Sequence, residues 1–142
     1  MKKWPIIVIV IFLLIALATS FMKRSGGDRC ALDATKIEPI YQVDVTPTDG
    51  KTLKFCCIEC SKKYIAANRG KVSAVTVTDE VTGKRIDASI AWFVESSIVT
   101  NQSTGNKIHV FAEKADAEKH AKDFSGTVIS NPFMINHGEH GD

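Results

Sequence analysis

Twice along this chain the hydrophobic pattern runs strand, strand, helix, strand, and this doubled order restricts the possible fold more than any other feature. Ile40 to Val45 alternates apolar and polar residues as a half-buried strand does, Pro47 to Gly50 is a turn, and Leu53 to Phe55 reads as the returning strand of a hairpin. A helix is predicted from Cys57 to Arg69 with Gly70 as its stop, and Val72, Val75 and Val77 mark a third strand that ends at Asp79. After Thr82-Gly83 the order begins again. The second half of Ala88 to Val99 reads as strand, Asn101 to Asn106 as a polar loop and Lys107 to Ala112 as strand. Lys114 to Phe124 is an amphipathic helix with Ala117, Ala121 and Phe124 on its apolar side, Gly126 stops it, and Thr127 to Ile129 is a last strand. Each half is about 45 residues, too few to build a strong core alone, so the halves are expected to lean on each other. The predicted fold class is α+β: two small strand-strand-helix-strand units packed together, over residues 30–83 and 84–133.

Ahead of both units lies an apolar segment. Pro5 to Met22 carries no charge, with Lys2 and Lys3 before it and Lys23 and Arg24 after it. These 18 residues sit at the lower edge of the roughly 20 that a spanning helix needs. Ala16-Leu17-Ala18 also fits the cleavage site of a secretory leader, which is the competing reading. The length of the run and the two cations after it favour an uncleaved transmembrane anchor over residues 1–24, with 25–29 a Ser-Gly-Gly linker. Everything downstream is then expected outside the cytoplasm, on a single-pass anchor in the cell membrane. The anchor also accounts for the basic charge: the whole chain stands at +2, and without those four flanking cations residues 25–142 stand at −2. No basic face remains to hold a nucleic-acid backbone.

Four cysteines, all in the first unit, carry the chemistry. Cys56, Cys57 and Cys60 fall just where the first helix should begin, and Cys30 lies upstream. On a helix, residues three and four apart share a face, so Cys60 pairs with Cys57 and, if the first turn is already helical, with Cys56. A helix N-terminus favours thiolates, which predicts Cys56 and Cys57 ionised at neutral pH. Three readings compete for the thiols. One is a structural disulfide from Cys30 to Cys56 or Cys60, routine in an oxidising compartment. A second is a Cys57-x-x-Cys60 thiol–disulfide redox couple, which here lacks the Trp and cis-Pro surroundings of thioredoxin-type proteins. The favoured one is a soft-metal site on Cys30, Cys57 and Cys60, with Cys56 as an alternative thiolate. Three thiolates suit Cu(I); Zn(II) wants a fourth ligand, and Asp33, three residues after Cys30, is placed to supply it.

The segment from Cys30 to Ser130 resembles the NosL-like family, copper-binding accessory proteins of nitrous oxide reductase maturation. The residues that carry the resemblance are Phe55, Ile58 and Cys60, Val77-Thr78-Asp79, Thr82-Gly83, Ile86-Asp87-Ala88, Ala91-Trp92-Phe93-Val94, Ser96-Ser97, Phe111-Ala112, Ala115, Ala117 and Phe124-Ser125-Gly126. The resemblance implies two strand-strand-helix-strand units and Cu(I) binding. Similarities to TRASH-type heavy-metal modules, in the Cys30…Cys56-x-x-x-Cys60 spacing, and to the metal-binding lobe of organomercurial lyase are weaker. The chain departs from the family where ligands are concerned. Cys30-Ala31-Leu32-Asp33 keeps a cysteine and lacks the family's methionines, Thr100-Asn101-Gln102-Ser103 lacks another, and Cys56-Cys57 stands where the family has an acidic pair.

Other candidates are less specific. His137, Glu139, His140 and Asp142 form a short tail over 134–142, read as a solvated terminus with weak Cu(II) or Zn(II) capture as the alternative. His109 and His120 read as packed or exposed, not as ligands. Trp92 and Phe93 either split between the two faces of their strand, one buried against the second helix and the other partly exposed, or both sit in a shared core between the halves, which is the favoured reading. No phosphate-binding glycine loop, carboxylate pair or Ser-His-Asp arrangement is visible, so neither catalysis nor a small-molecule substrate is expected. The sequence therefore predicts a membrane-anchored, extracytoplasmic metallochaperone that presents a soft metal, Cu(I) before Zn(II), to a client protein.

Overall fold

The computed structural model describes residues 28–134; the apolar segment, most of the linker and the His-containing tail lie outside the described residues. Among the described residues no helix is long and apolar enough to cross a membrane. Seven strands and two α-helices among the described residues follow the doubled order. The first unit runs β1 (Val43–Pro47), β2 (Leu53–Phe55), α1 (Ile58–Ala67) and β3 (Val72–Thr78). Then come β4 (Arg85–Asp87) and the second unit, β5 (Trp92–Glu95), β6 (Ile108–Phe111), α2 (Lys114–Asp123) and β7 (Thr127–Ile129). All pairings are antiparallel, in a four-stranded sheet ordered β2-β1-β3-β4 and a three-stranded sheet ordered β6-β5-β7. The described residues are thus α+β, with two sheets and one ten-residue helix to each.

Local chemistry explains the differences from expectation. Residues 39–41 form a 3-10 turn, not strand, because Pro39 fixes its own φ and opens the turn; the strand begins at Val43. β4, only Arg-Ile-Asp, adds an unforeseen fourth strand to the first sheet through Val77 opposite Ile86. Gly126 is not the left-handed stop of α2. Ser125 takes that conformation (φ 51°), and Gly126 is needed because a Cβ there would lie 2.7 Å from the Glu95 carbonyl oxygen.

Strand alternation sorts the core. Val43, Val45, Phe55 and Val77 of the first sheet, and Phe93, Ile108 and Val110 of the second, share one cluster with Cys30, Cys56, Cys57 and Cys60. Val94 and Phe111 turn the other way and pack with Ala117 of α2. Burying a side chain such as Phe55 contributes about 1.5–3 kcal/mol. Here that burial joins the units, since the second sheet has one face on α2 and the other in the common core. Trp92 and Phe93 are not both in the shared core as favoured. They split, with Phe93 buried in that core and not against α2, the Phe133 ring 5.8 Å away, while Trp92 is 37% exposed with the Lys114 ammonium 5.6 Å from its ring centroid.

Polar joints tie the units as well. Asp79, buried after β3, accepts the N–H groups of Thr82 in its own turn and of Ala112 in the second unit, both at 3.1 Å. Its neighbour Glu80 accepts the Val110 N–H at 3.1 Å and meets Nδ1 of the buried His109 at 2.8 Å. His109 is therefore packed, as expected, and hydrogen-bonds Glu80 within the joint. Burial pulls its imidazolium down, and the Glu80 carboxylate more than offsets this, so its pKa ends above the ordinary histidine value.

Candidate metal site

Three pieces of chain converge on the cysteines. The first is the loop 28–37, folded back by Asp28 C=O accepting the Ile37 N–H and pinned to β2 by the Ala31 N–H on the Lys54 carbonyl, both at 2.8 Å. It carries Cys30, which is buried, and Asp33, which is exposed. Asp33 Oδ1 accepts the Thr35 N–H at 3.0 Å, which turns Oδ2 toward the thiols. The second piece is the start of α1. Cys57 is its N-cap residue in extended conformation, so the chain enters the helix with Cys56 and Cys57 side by side and Cys60 one turn on. The third is the loop between β5 and β6.

One donor atom from each of Cys30, Asp33, Cys56 and Cys60 lies within 4.8 Å of the other three. The Cys56 and Cys60 sulfurs are 3.6 Å apart, and the Cys60 thiol donates to Asp33 Oδ2 at 3.6 Å. All four cysteines are free thiols. Cys57 stands beside this group, its sulfur 3.8 Å from that of Cys56 and 3.3 Å from Thr104 Oγ1. The structure thus brings four of the five predicted residues together, and the thiol that bonds to Cys60 is Cys56, not Cys57. The pairing four residues apart is the one used.

The expected ionisation is overturned for Cys56. Burial, followed by the adjacent thiols, pushes the Cys56 and Cys60 pKa values well above the ordinary cysteine range. Any field from the start of α1 is outweighed, and the first turn adds an acid, Glu59, where a cation would have helped. Asp33 goes the other way. Partial burial raises it, but the Thr35 N–H and the Cys30 and Cys60 thiols outweigh that and keep it below the usual carboxylate value. At neutral pH the Asp33 carboxylate thus lies beside the protonated thiols of Cys56 and Cys60.

Sequence reasoning missed the second unit's share. Asn101 Nδ2 donates to the Cys56 sulfur at 3.2 Å, and Thr104 Oγ1 touches that of Cys57. The loop that lacks the family's methionine still reaches the thiols, with an amide and a hydroxyl. Its only sequence signal was being a polar loop of matching position.

Together the fold and this donor set define a two-unit α+β domain with a thiol-rich cluster between its halves. The chain is similar to a solved structure described as the copper chaperone NosL from Shewanella denitrificans, with a TM-score of 0.66 and 19% identity over 80% of this chain and 93% of that one. At that identity the likeness shows the fold, and the resemblance drawn from residues 30–130 holds at that level. No family model and no curated protein matches the chain.

Proposed function

We propose that this protein is a membrane-anchored, extracytoplasmic metallochaperone that takes up Cu(I) on Cys30, Cys56 and Cys60 and presents it to a client protein. The observation that carries the reading is the convergence of three buried thiols and one exposed carboxylate within 4.8 Å. Soft sulfur donors select a soft ion. The fold likeness to a copper chaperone supports the same assignment and a non-enzymatic role. The anchor rests on the uncharged Pro5–Met22 run, and the compartment on the outward direction in which a short N-terminal anchor displays its downstream domain. Asp33 gives a second ion specific support, because three sulfurs and a carboxylate complete the tetrahedron that Zn(II) prefers.

The test is competition between the reduced full-length chain, in detergent, and chelators of known strength for Cu(I) and for Zn(II). Cu(I) is expected to bind tightly and to displace Zn(II), and Cys60→Ser, which removes the sulfur hydrogen-bonded to both Cys56 and Asp33, to weaken it most. Cu(I) affinity that survives replacement of all four cysteines by serine overturns the assignment; a site that retains Zn(II) against Cu(I) gives the zinc reading instead.

A further inference from the structure

Cys57 is the thiol that the four-donor set leaves out. It is 1% exposed, yet its sulfur touches another thiol and a hydroxyl. Cys56 lies between the two groups, 3.6 Å from the Cys60 sulfur on one side and 3.8 Å from the Cys57 sulfur on the other. With metal–sulfur bonds of about 2.3 Å, such separations subtend roughly 100–110° at a metal. That angle suits an ion with three or more ligands on the Cys56–Cys60 side as it stands. A two-coordinate ion on Cys56 and Cys57 prefers a straighter line, reached as those two sulfurs part toward about 4.6 Å, twice the bond length. We propose that the cluster holds two Cu(I) ions, with the Cys56 thiolate bridging them.

The inference rests on the soft-metal reading and extends it. The first ion takes Cys30, Cys56 and Cys60 with Asp33 at the rim. The second takes Cys56 and Cys57, a two-sulfur position that suits Cu(I) and leaves Zn(II) short of the four ligands it wants. Burial does not forbid the second ion. It brings one more cation and one more thiolate, so the net charge of the buried cluster stays the same and no further uncompensated charge is desolvated. Each thiol gives its proton to solvent as it becomes a ligand. The second unit supplies the outer hydrogen bonds, the Asn101 amide on the bridging sulfur and the Thr104 hydroxyl on the terminal one, as partners that orient and stabilise ligands commonly do.

Copper stoichiometry decides the matter. The reduced full-length chain in detergent is loaded with Cu(I) against a competing chelator, so that only tight sites fill. Bound ions are then counted by native mass spectrometry, and X-ray absorption reports any copper–copper scattering path. The expected result is two ions with that path in the wild type, and one ion without it in Cys57→Ser. Serine is a favoured N-cap residue, so this variant should keep α1 intact, which circular dichroism checks. Cys57→Ala, with no donor at all, should give the same count. One ion in the wild type overturns the second position and leaves the proposed function standing, as do two ions in both Cys57 variants. No tightly held copper in any of them overturns both.

Discussion

Cys56 and Cys60 keep their protons at neutral pH for a reason particular to where they sit: they are buried, among other thiols. Metal uptake has to displace those protons, so affinity must depend on pH in a definite direction. A group whose pKa is raised holds its proton below that value and competes with the metal there. Cu(I) affinity should thus rise with pH, by up to about 100-fold per unit if both protons leave, over roughly pH 6 to 8. Competition titrations across that range, with a dye reporting protons released into weak buffer, measure it; affinity that is flat with pH contradicts protonated thiols. At this scale the sequence was half legible. Spacing identified the right residue types and offered both pairings of Cys60. Whether Cys57 is the first helical residue or the cap before it decides which sulfur points where, and a one-residue boundary is what pattern reading resolves least well.

Among the elements, most segments that carried the family resemblance prove to be joints. Thr78 donates its hydroxyl to the Pro39 and Gln42 carbonyls, Asp79 organises the turn before Gly83 (φ 71°), and the Ser97 hydroxyl holds the Phe124 carbonyl. This explains how the fold is recognisable while the ligand loops differ from those of the resembling family, since, apart from Cys60, joints and ligands occupy different residues. β4 escaped notice because three residues show too little alternation. The reach of Asn101 to Cys56, across 45 positions, leaves no periodic trace at all. Asp79→Ala should cost about 1–3 kcal/mol, because buried N–H groups lose their acceptor. Partial burial raises the Asp79 pKa, but the Thr82 hydroxyl and the Ala112 and Thr82 N–H groups lower it further, below its ordinary value. Its contribution is therefore complete above about pH 4 and disappears as pH falls through the folded value. Thermal melts between neutral and acid pH should show that loss in the wild type and less of it in Asp79→Asn, with copper binding at neutral pH unchanged in both.

For the whole molecule, the shared core predicts that neither unit melts alone. One cooperative transition is expected, and Phe93→Ala, emptying a site between the sheets, should destabilise it by about 3–5 kcal/mol. Trp92→Ala, at the surface beside Lys114, should cost no more than about 1 kcal/mol. Chemical denaturation of both variants separates core from surface, and equal losses would contradict the division. The same enclosure shapes how a cargo ion departs. Of the four donors only Asp33 is exposed; the sulfurs behind it are nearly closed off. An ion that left unaided would strand charged sulfurs in a buried pocket until protons reached them, which makes spontaneous loss slow at neutral pH and above. Departure then waits for an incoming ligand at the carboxylate side, and its rate scales with the concentration of that acceptor. Under the proposed function, the receiver and not the holder sets the tempo of delivery.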